Sequence, residues 1–324
     1  MVSVLEICAG AGGQALGFEQ ANFNHAGLVE IDSDACATLT LNRPTWNVIN
    51  QDVREFDGLG FEEVDVLAGG VPCPPFSVAG RQLGPNDERD LFPDAIRLLH
   101  RLHPKFFIIE NVRGLLDKRF SAYREDILAQ LEIAGYQAEW NLLNASDFGV
   151  PQLRPRSILV AALPEYWSSF RWPSPSSTPP NTVGAALFDQ MAEDGWQLAR
   201  AWAQNANKIA PTLVGGSRKH GGADLGPTRA KKAWASLGVN GISLANTPPS
   251  RDFVGSPRLT VGMTATVQGF PDHWDFSGAK TSRYRQIGNA FPPPVAKAVA
   301  KQVMISLQAL SSPSKSPSLK LAEV

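Results

Sequence analysis

Val2-Ser3-Val4-Leu5-Glu6-Ile7-Cys8-Ala9-Gly10-Ala11-Gly12-Gly13 is an apolar run that breaks into a glycine cluster, and a helical pattern with Leu16, Phe18 and Ala21 apolar starts at Gln14. Strand, glycine turn and helix in that order let backbone approach a ligand closely at the carboxyl edge of a parallel sheet. The next strand, expected over 26–31, ends on Glu30, twenty residues after Gly10. A carboxylate there can bond both hydroxyls of a ribose. A helix N-capped by Ser33 is expected over 33–41. A strand over 46–50 then delivers Asp52, an acceptor for an adenine amino group. Two ligand classes fit. Gly10-x-Gly12-x-x-Ala15 with Glu30 meets the loose dinucleotide fingerprint of a nicotinamide-dependent dehydrogenase. However, Gly12 and Gly13 are adjacent and no diphosphate cradle follows, which suits S-adenosylmethionine, a nucleoside without phosphate.

The fourth strand, over 64–68, runs into Gly69-Gly70-Val71-Pro72-Cys73-Pro74-Pro75-Phe76-Ser77. Proline fixes φ and cannot donate to a ladder, so the strand must end and Cys73 must ride on a stiffened turn. Residues 81–91 form a polar loop suited to a lid. A helix is expected over 92–102. The apolar strand 105–112 then stops on Glu110. Strand ends of a doubly wound sheet share one crevice, so Cys73 and Glu110 are expected to face the same ligand.

The 324 residues allow one large domain or a large and a smaller one. Three scattered cysteines and five histidines without ligand spacing argue against a disulfide framework and against a metal site. No stretch reads as a membrane span, and the acidic, glycine-bearing start lacks the basic leader of a signal peptide. A reducing cytoplasm is the expected setting.

The net charge of −1 hides an asymmetry. Residues 1–100 carry fifteen Asp/Glu against five Arg, whereas residues 196–258 carry nine Lys/Arg against two Asp. Such a basic segment is either a solvated face or a surface for a polyanion. Residues 171–180, rich in proline and serine, read as a linker. Residues 176–277 lack βαβ periodicity and contain Gly215-Gly216-Ser217-Arg218-Lys219-His220-Gly221-Gly222, a flexible donor-rich stretch. Arg218, Lys219, His220, Arg229, Lys231 and Lys232 are the candidate phosphate and base contacts. A helix is expected over 295–307, and residues 311–324 read as a disordered tail.

The motifs together resemble the DNA cytosine-5 methyltransferases of bacterial restriction–modification systems, over nearly the whole chain. The Ala9 to Gly13 turn is similar to that family's cofactor loop, Pro72-Cys73 to its nucleophile motif and Glu110-Asn111-Val112 to its Glu-Asn-Val motif. Gln152-Leu153-Arg154-Pro155-Arg156 matches its Gln-x-Arg-x-Arg motif. Arg258-Leu259-Thr260, Gln268-Gly269-Phe270-Pro271 and 286–293 resemble its last two blocks.

The resemblance implies an α/β, Rossmann-like S-adenosylmethionine-dependent fold, with residues 1–175 and 278–310 catalytic and residues 176–277 recognising the target. It implies Cys73 as nucleophile, Glu110 as the acid beside cytosine N3, Arg156 at O2 and Arg154 as its neighbouring support. Cys8, Ala9, Gly10, Gly12, Gly13, Glu30, Ile31, Asp52, Val53 and Pro72 would hold the cofactor, with Asn289 and Phe291 near its methionine end. Ser77, Arg81 and Arg89 would meet DNA as the target base is rotated out of the duplex.

Members often carry Phe where Cys8 stands and Gln where Pro74 stands; Ile31 and Val53 would then hold the adenine. The partner implied is double-stranded DNA, with a monomeric enzyme associated with the bacterial nucleoid and a cognate endonuclease. A transfer-RNA-directed enzyme of the same superfamily and a catalytically dead DNA-binding repressor are the nearest alternatives.

Overall fold

The computed structural model describes residues 1–72, 90–216 and 222–311. Cys73, Ser77, Arg81, Arg89, Arg218, Lys219 and His220 lie outside the described residues, as do the expected lid over 81–89 and tail beyond 311. Among the described residues seven strands form one sheet: β1 (Ser3–Ile7), β2 (Asn24–Glu30), β3 (Val48–Asn50), β4 (Val66–Gly70), β5 (Phe106–Val112), β6 (Gln137–Asn144) and β7 (Pro155–Ala162). Their order is β3-β2-β1-β4-β5-β7-β6. All neighbours run parallel except β7, which is antiparallel to both β5 and β6. The strand order reverses between β1 and β4, so a crevice opens outside their carboxyl ends.

Period-two alternation splits the sheet's apolar residues between two cores. Leu5, Ile7, Leu67, Phe107, Ile109 and Leu159 pack against α3 (Phe92–Leu102) and α4 (Ser121–Ile133). Val4, Val66, Phe106, Ile108, Ile158 and Val160 meet Phe18 of α1 (Gly13–Glu19) and the Val295, Val299 and Val303 face of a long C-terminal helix. Helix α2 (Ser33–Asn42) follows β2. Asp32, not Ser33, is its N-cap: the Asp32 carboxylate accepts from the backbone N–H of Asp34 and Ala35. Strand β4 also runs two residues past the expected end. Gly69 lets the Ile7 backbone come close, since a Cβ there would sit 2.7 Å from the Ile7 carbonyl oxygen. Gly70 then pairs with Glu110.

The second half continues with α5 (Pro164–Trp167), α6 (Val183–Ala192), α7 (Ala199–Asn205), α8 (Thr228–Ala235) and α9 (Val261–Gln268). It closes with α10 (Lys280–Asn289) and α11 (Pro293–Ser311), the long helix already met. Trp196, Trp202 and Trp234 are buried together with Val183, Leu187, Met191 and Met263 in one helical core. Part of the expected linker is tied down, because Trp172 donates its indole N–H to Glu139 at 2.9 Å. Residues 268–277 bond back to the sheet domain before residue 278: Trp274 to the Ala11 carbonyl, Asp275 to Asn42 and Ser277 to Thr38.

Gly13 starts α1 where the Phe291 carbonyl oxygen would lie 2.3 Å from an added Cβ. That neighbour is backbone and cannot rotate away. Gly13→Ala is therefore expected to cost about 1–3 kcal/mol of stability, the range for overpacking. Urea denaturation reads this directly, and an undiminished midpoint would mean that the last block does not pack on the glycine turn.

Candidate functional site: the crevice at the carboxyl ends of β1, β4 and β5

The turn after β1 is built from left-handed residues. Cys8, Gly10 and Gly12 have φ of 51°, 55° and 84°. A Cβ on Gly10 would meet nothing within 4 Å, so the space in front of it is open. Glu30 closes one side of that space. Its carboxylate accepts from the Gly10 N–H at 2.7 Å and from the Asp32 N–H at 2.7 Å. Burial raises its pKa, partly opposed by those backbone donors. Each oxygen keeps acceptor capacity, which fits a vicinal diol.

Ala9 is nearly buried, Val53 is 4% exposed and Ile31 is 59% exposed, which leaves Ile31 as the accessible apolar side chain next to Glu30. Asp52 is already engaged: Arg54 Nη2 lies 2.5 Å from its carboxylate and holds its pKa below the usual carboxylate range. The expected free acceptor for an adenine amino group is thus shared with a guanidinium. Burial first, then the charges of Glu30, Asp52 and Asp94, push the Cys8 thiol well up.

The other end of the crevice is built by strand register. Glu110 pairs with Gly70 on β4, and Val112 pairs with Arg156 on β7. Glu110 and Val112 share a face, so Arg156 reaches Glu110 diagonally, with Nε 2.7 Å from Oε1. Gly70 lies beside the carboxyl, whose Oε2 would be 3.4 Å from a Cβ there. Glu110 is 7% exposed. Burial raises its pKa, and Arg156 and then Arg154 oppose that rise. The Asn111 amide donates to the Val71 carbonyl at 3.4 Å, tying β5 to the backbone two residues before Cys73. Pro72, the last described residue before Cys73, is exposed.

Arg154 is fully buried and directs its donors elsewhere. Its guanidinium donates to the carbonyls of Leu213 at 2.9 Å, Gly288 at 2.7 Å and Ala290 at 3.1 Å. Gln152 bonds Leu213 N–H, the Val267 carbonyl and Gln268, and Gln268 donates to the Ala290 carbonyl. These bonds join the Gln-x-Arg-x-Arg segment to Leu213, to the end of α9 and to the end of α10. Neither glutamine stood out as a site residue in the sequence. Asn289 turns away from the glycine turn and donates to the Gly216 carbonyl at 3.1 Å, whereas the Phe291 backbone does lie against Gly13.

Gly215, read as flexible groove backbone, is buried against α10, where an added Cβ would lie 2.6 Å from the Arg285 carbonyl oxygen. Arg229 and Lys232 are exposed on α8, while Lys231 pairs with Asp224 at 3.3 Å. Among the described residues no cluster of three or more His, Cys, Asp or Glu could hold a metal, and no helix is long and apolar enough to cross a membrane.

Comparison with known proteins agrees with this geometry. The family model for C-5 cytosine-specific DNA methylase matches residues 2–304. Type II methyltransferase M.NgoMIV of Neisseria gonorrhoeae is 54% identical over 94% of this chain and 97% of its own length. Type II methyltransferase M.NaeI of Lentzea aerocolonigenes is 55% identical over 94% of this chain and 75% of its own. Among solved structures, a putative DNA modification methyltransferase encoded within an Escherichia coli prophage aligns over 95% of this chain and 100% of its own, with a TM-score of 0.66 and 23% identity. Spodoptera frugiperda DNMT2 aligns over 95% of this chain and 100% of its own at a TM-score of 0.63 with 17% identity. These two likenesses speak to the fold.

Arg154→Met would leave the Leu213, Gly288 and Ala290 carbonyls buried without their donor. The expected loss is about 2–5 kcal/mol of unfolding free energy, the range for a broken buried network. A loss below about 1 kcal/mol in a urea titration would mean that the clamp does not hold the two segments together.

Proposed function

The chain belongs to the C-5 cytosine-specific DNA methylases, and on that footing we propose that it transfers a methyl group from S-adenosylmethionine to C5 of a cytosine rotated out of duplex DNA, through a covalent bond between Cys73 and C6. The carrying observation is the buried Glu110–Arg156 pair at the end of β5, beside the strand that leads to Cys73. The residues around Gly10 fit the methyl donor: open space over the turn, a carboxylate oriented for a diol and no cradle for phosphate. Glu30, Gly10, Ile31 and Val53 would hold its nucleoside. When bound, the donor supplies the sulfonium methyl that C5 attacks.

The chain's own residues do the rest. Cytosine C5 is a poor nucleophile until the ring's aromaticity is broken. The Cys73 thiolate adds to C6, and Glu110 gives its proton to N3, so the ring electrons collect at C5. Arg156 binds O2 and keeps Glu110 aligned. After C5 is methylated, a base removes the C5 proton, the C6–S bond breaks to return the Cys73 thiolate, and N3 returns its proton to Glu110. Cys73 is the best candidate among three cysteines. Burial pushes the Cys8 thiol well up, and Cys36 is raised to about 11, so neither supplies a thiolate near neutrality.

Rotating the base out costs a few kcal/mol of stacking, which the segment after Cys73 and the exposed Arg229 and Lys232 would repay through phosphate contacts. Duplex DNA is favoured over transfer RNA because the relatives at 54–55% identity are Type II methyltransferases and the match includes the basic segment. We read the chain as the modification half of a restriction–modification pair.

Cys73→Ser should abolish methyl transfer to duplex DNA, measured with tritiated donor, while DNA affinity stays within a few-fold; retained turnover would exclude Cys73 as nucleophile. Glu110→Gln should slow transfer about 10²–10⁴-fold, the usual worth of a positioned acid. Because burial raises the Glu110 pKa, the active protonated form persists to higher pH than in a free carboxyl group and is lost as pH climbs through that pKa. The wild-type rate at saturating substrates should therefore fall on the alkaline side, and the Glu110→Gln rate should lack that fall. A profile identical in both proteins would remove Glu110 from proton transfer.

A further inference from the structure

We propose that Trp274 is a positioning residue for the glycine turn at 9–13, so that the chain returning from the recognition segment sets affinity for the methyl donor; the inference rests on the S-adenosylmethionine reading of that turn. Trp274 lies 263 residues from Ala11 along the chain, is 3% exposed, and donates its indole N–H to the Ala11 carbonyl at 3.1 Å. That carbonyl directly precedes Gly12, the left-handed N-cap of α1. The ring fills the space that Gly12 leaves: a Cβ there would lie 2.8 Å from Trp274 and 2.8 Å from Leu39.

The turn needs such support. Cys8, a non-glycine residue, sits in the left-handed region, a conformation that persists only where surroundings enforce it. The surroundings of Trp274 are themselves fixed. Asn42 on α2 donates to the Asp275 carbonyl at 2.7 Å and accepts from the Asp275 N–H at 2.9 Å. Thr38 accepts from the Ser277 N–H at 2.8 Å. The Arg43 guanidinium lies 5.3 Å from the Trp274 ring and 5.8 Å from that of Trp46, and Glu19 holds it with contacts of 2.6 and 2.7 Å. Residues 274–277 are thus stapled to α2 with the indole wedged under the turn. The methyl-donor site is complete only when the recognition segment has returned to the sheet domain.

The test uses the full chain and compares wild type with Trp274→Ala, Trp274→Phe and Trp234→Phe. Trp234 is buried in the same helical core, and its substitution reports general destabilisation. Trp274→Ala is expected to weaken S-adenosylmethionine binding at least tenfold by calorimetry. Its kcat at saturating donor should stay within threefold and its KM for DNA within twofold. Hydrogen exchange at amides 9–13 in ligand-free protein should quicken at least tenfold while β1 and β4 keep their protection. Trp274→Phe keeps the ring but loses the N–H, so it should fall between, and it decides the matter if the alanine variant does not fold. Trp234→Phe should lower Tm and leave both readouts unchanged. Unchanged exchange and donor affinity in the Trp274 variants, or equal changes in Trp234→Phe, would overturn the proposal. Should wild type itself bind no S-adenosylmethionine, the proposed function fails, and exchange at 9–13 still judges Trp274.

Discussion

A carboxyl group and a guanidinium 2.7 Å apart at the buried end of a sheet set the terms for the whole crevice. Burying Glu110 favours its neutral form, and Arg156 pulls the other way; burial prevails. The result is a carboxyl group that keeps its proton to higher pH than a free one would, yet stays oriented by a cation. Arg156 is there because β7 runs against both of its neighbours in the sheet. β7 runs antiparallel to β5, so Arg156 arrives opposite Val112 rather than on the far side of the molecule.

The same economy of space shapes the cofactor end. Three left-handed residues bring the Gly10 N–H round to Glu30, and the absence of side chains at Gly12 and Gly13 admits Trp274 and the Phe291 carbonyl from the end of the chain. The Gln152, Arg154 and Gln268 bonds do for the arginine end what Trp274 does for the glycine turn. The Gln152–Gln268, Arg154–Gly288 and Trp274–Ala11 bonds each span more than a hundred positions, whereas those from Leu213 to Gln152 and Arg154 and from Gln268 to Ala290 are shorter links in the same network. The second half of the chain is thus held to the sheet by hydrogen bonds to backbone, which tolerate little displacement.

Much of this was legible in the sequence. The strand–glycine–helix start, Glu30 and the apolar run ending at Glu110 predicted the sheet, its crevice and both ends of the site. What escaped has a common physical cause: it depends on long-range packing. The tryptophans at 196, 202 and 234 fall within the stretch that lacks βαβ periodicity, and they form a helical core. Gly215 read as free backbone but is pressed against Arg285 and Asn289. Arg154 and Arg156 alternate as expected, yet only Arg156 makes its ion pair with Glu110, because the carbonyls of Leu213, Gly288 and Ala290 take the donors of Arg154. Asp52 read as a free acceptor, and Arg54, two residues on, occupies it. Asp32 capped α2 one residue earlier than Ser33 because its carboxylate reaches two amides at once.

The central claim is that a covalent bond to Cys73 activates the cytosine. Duplex DNA carrying 5-fluorocytosine at the target position tests it most directly, since fluorine at C5 cannot leave as a proton does and the elimination that frees the enzyme is blocked. With S-adenosylmethionine present, a denaturation-resistant adduct should form, with a mass equal to protein plus the methylated DNA strand and with the linkage mapping to Cys73. Active enzyme that turns over ordinary duplex but yields no adduct, or an adduct that survives in Cys73→Ser, would contradict the account.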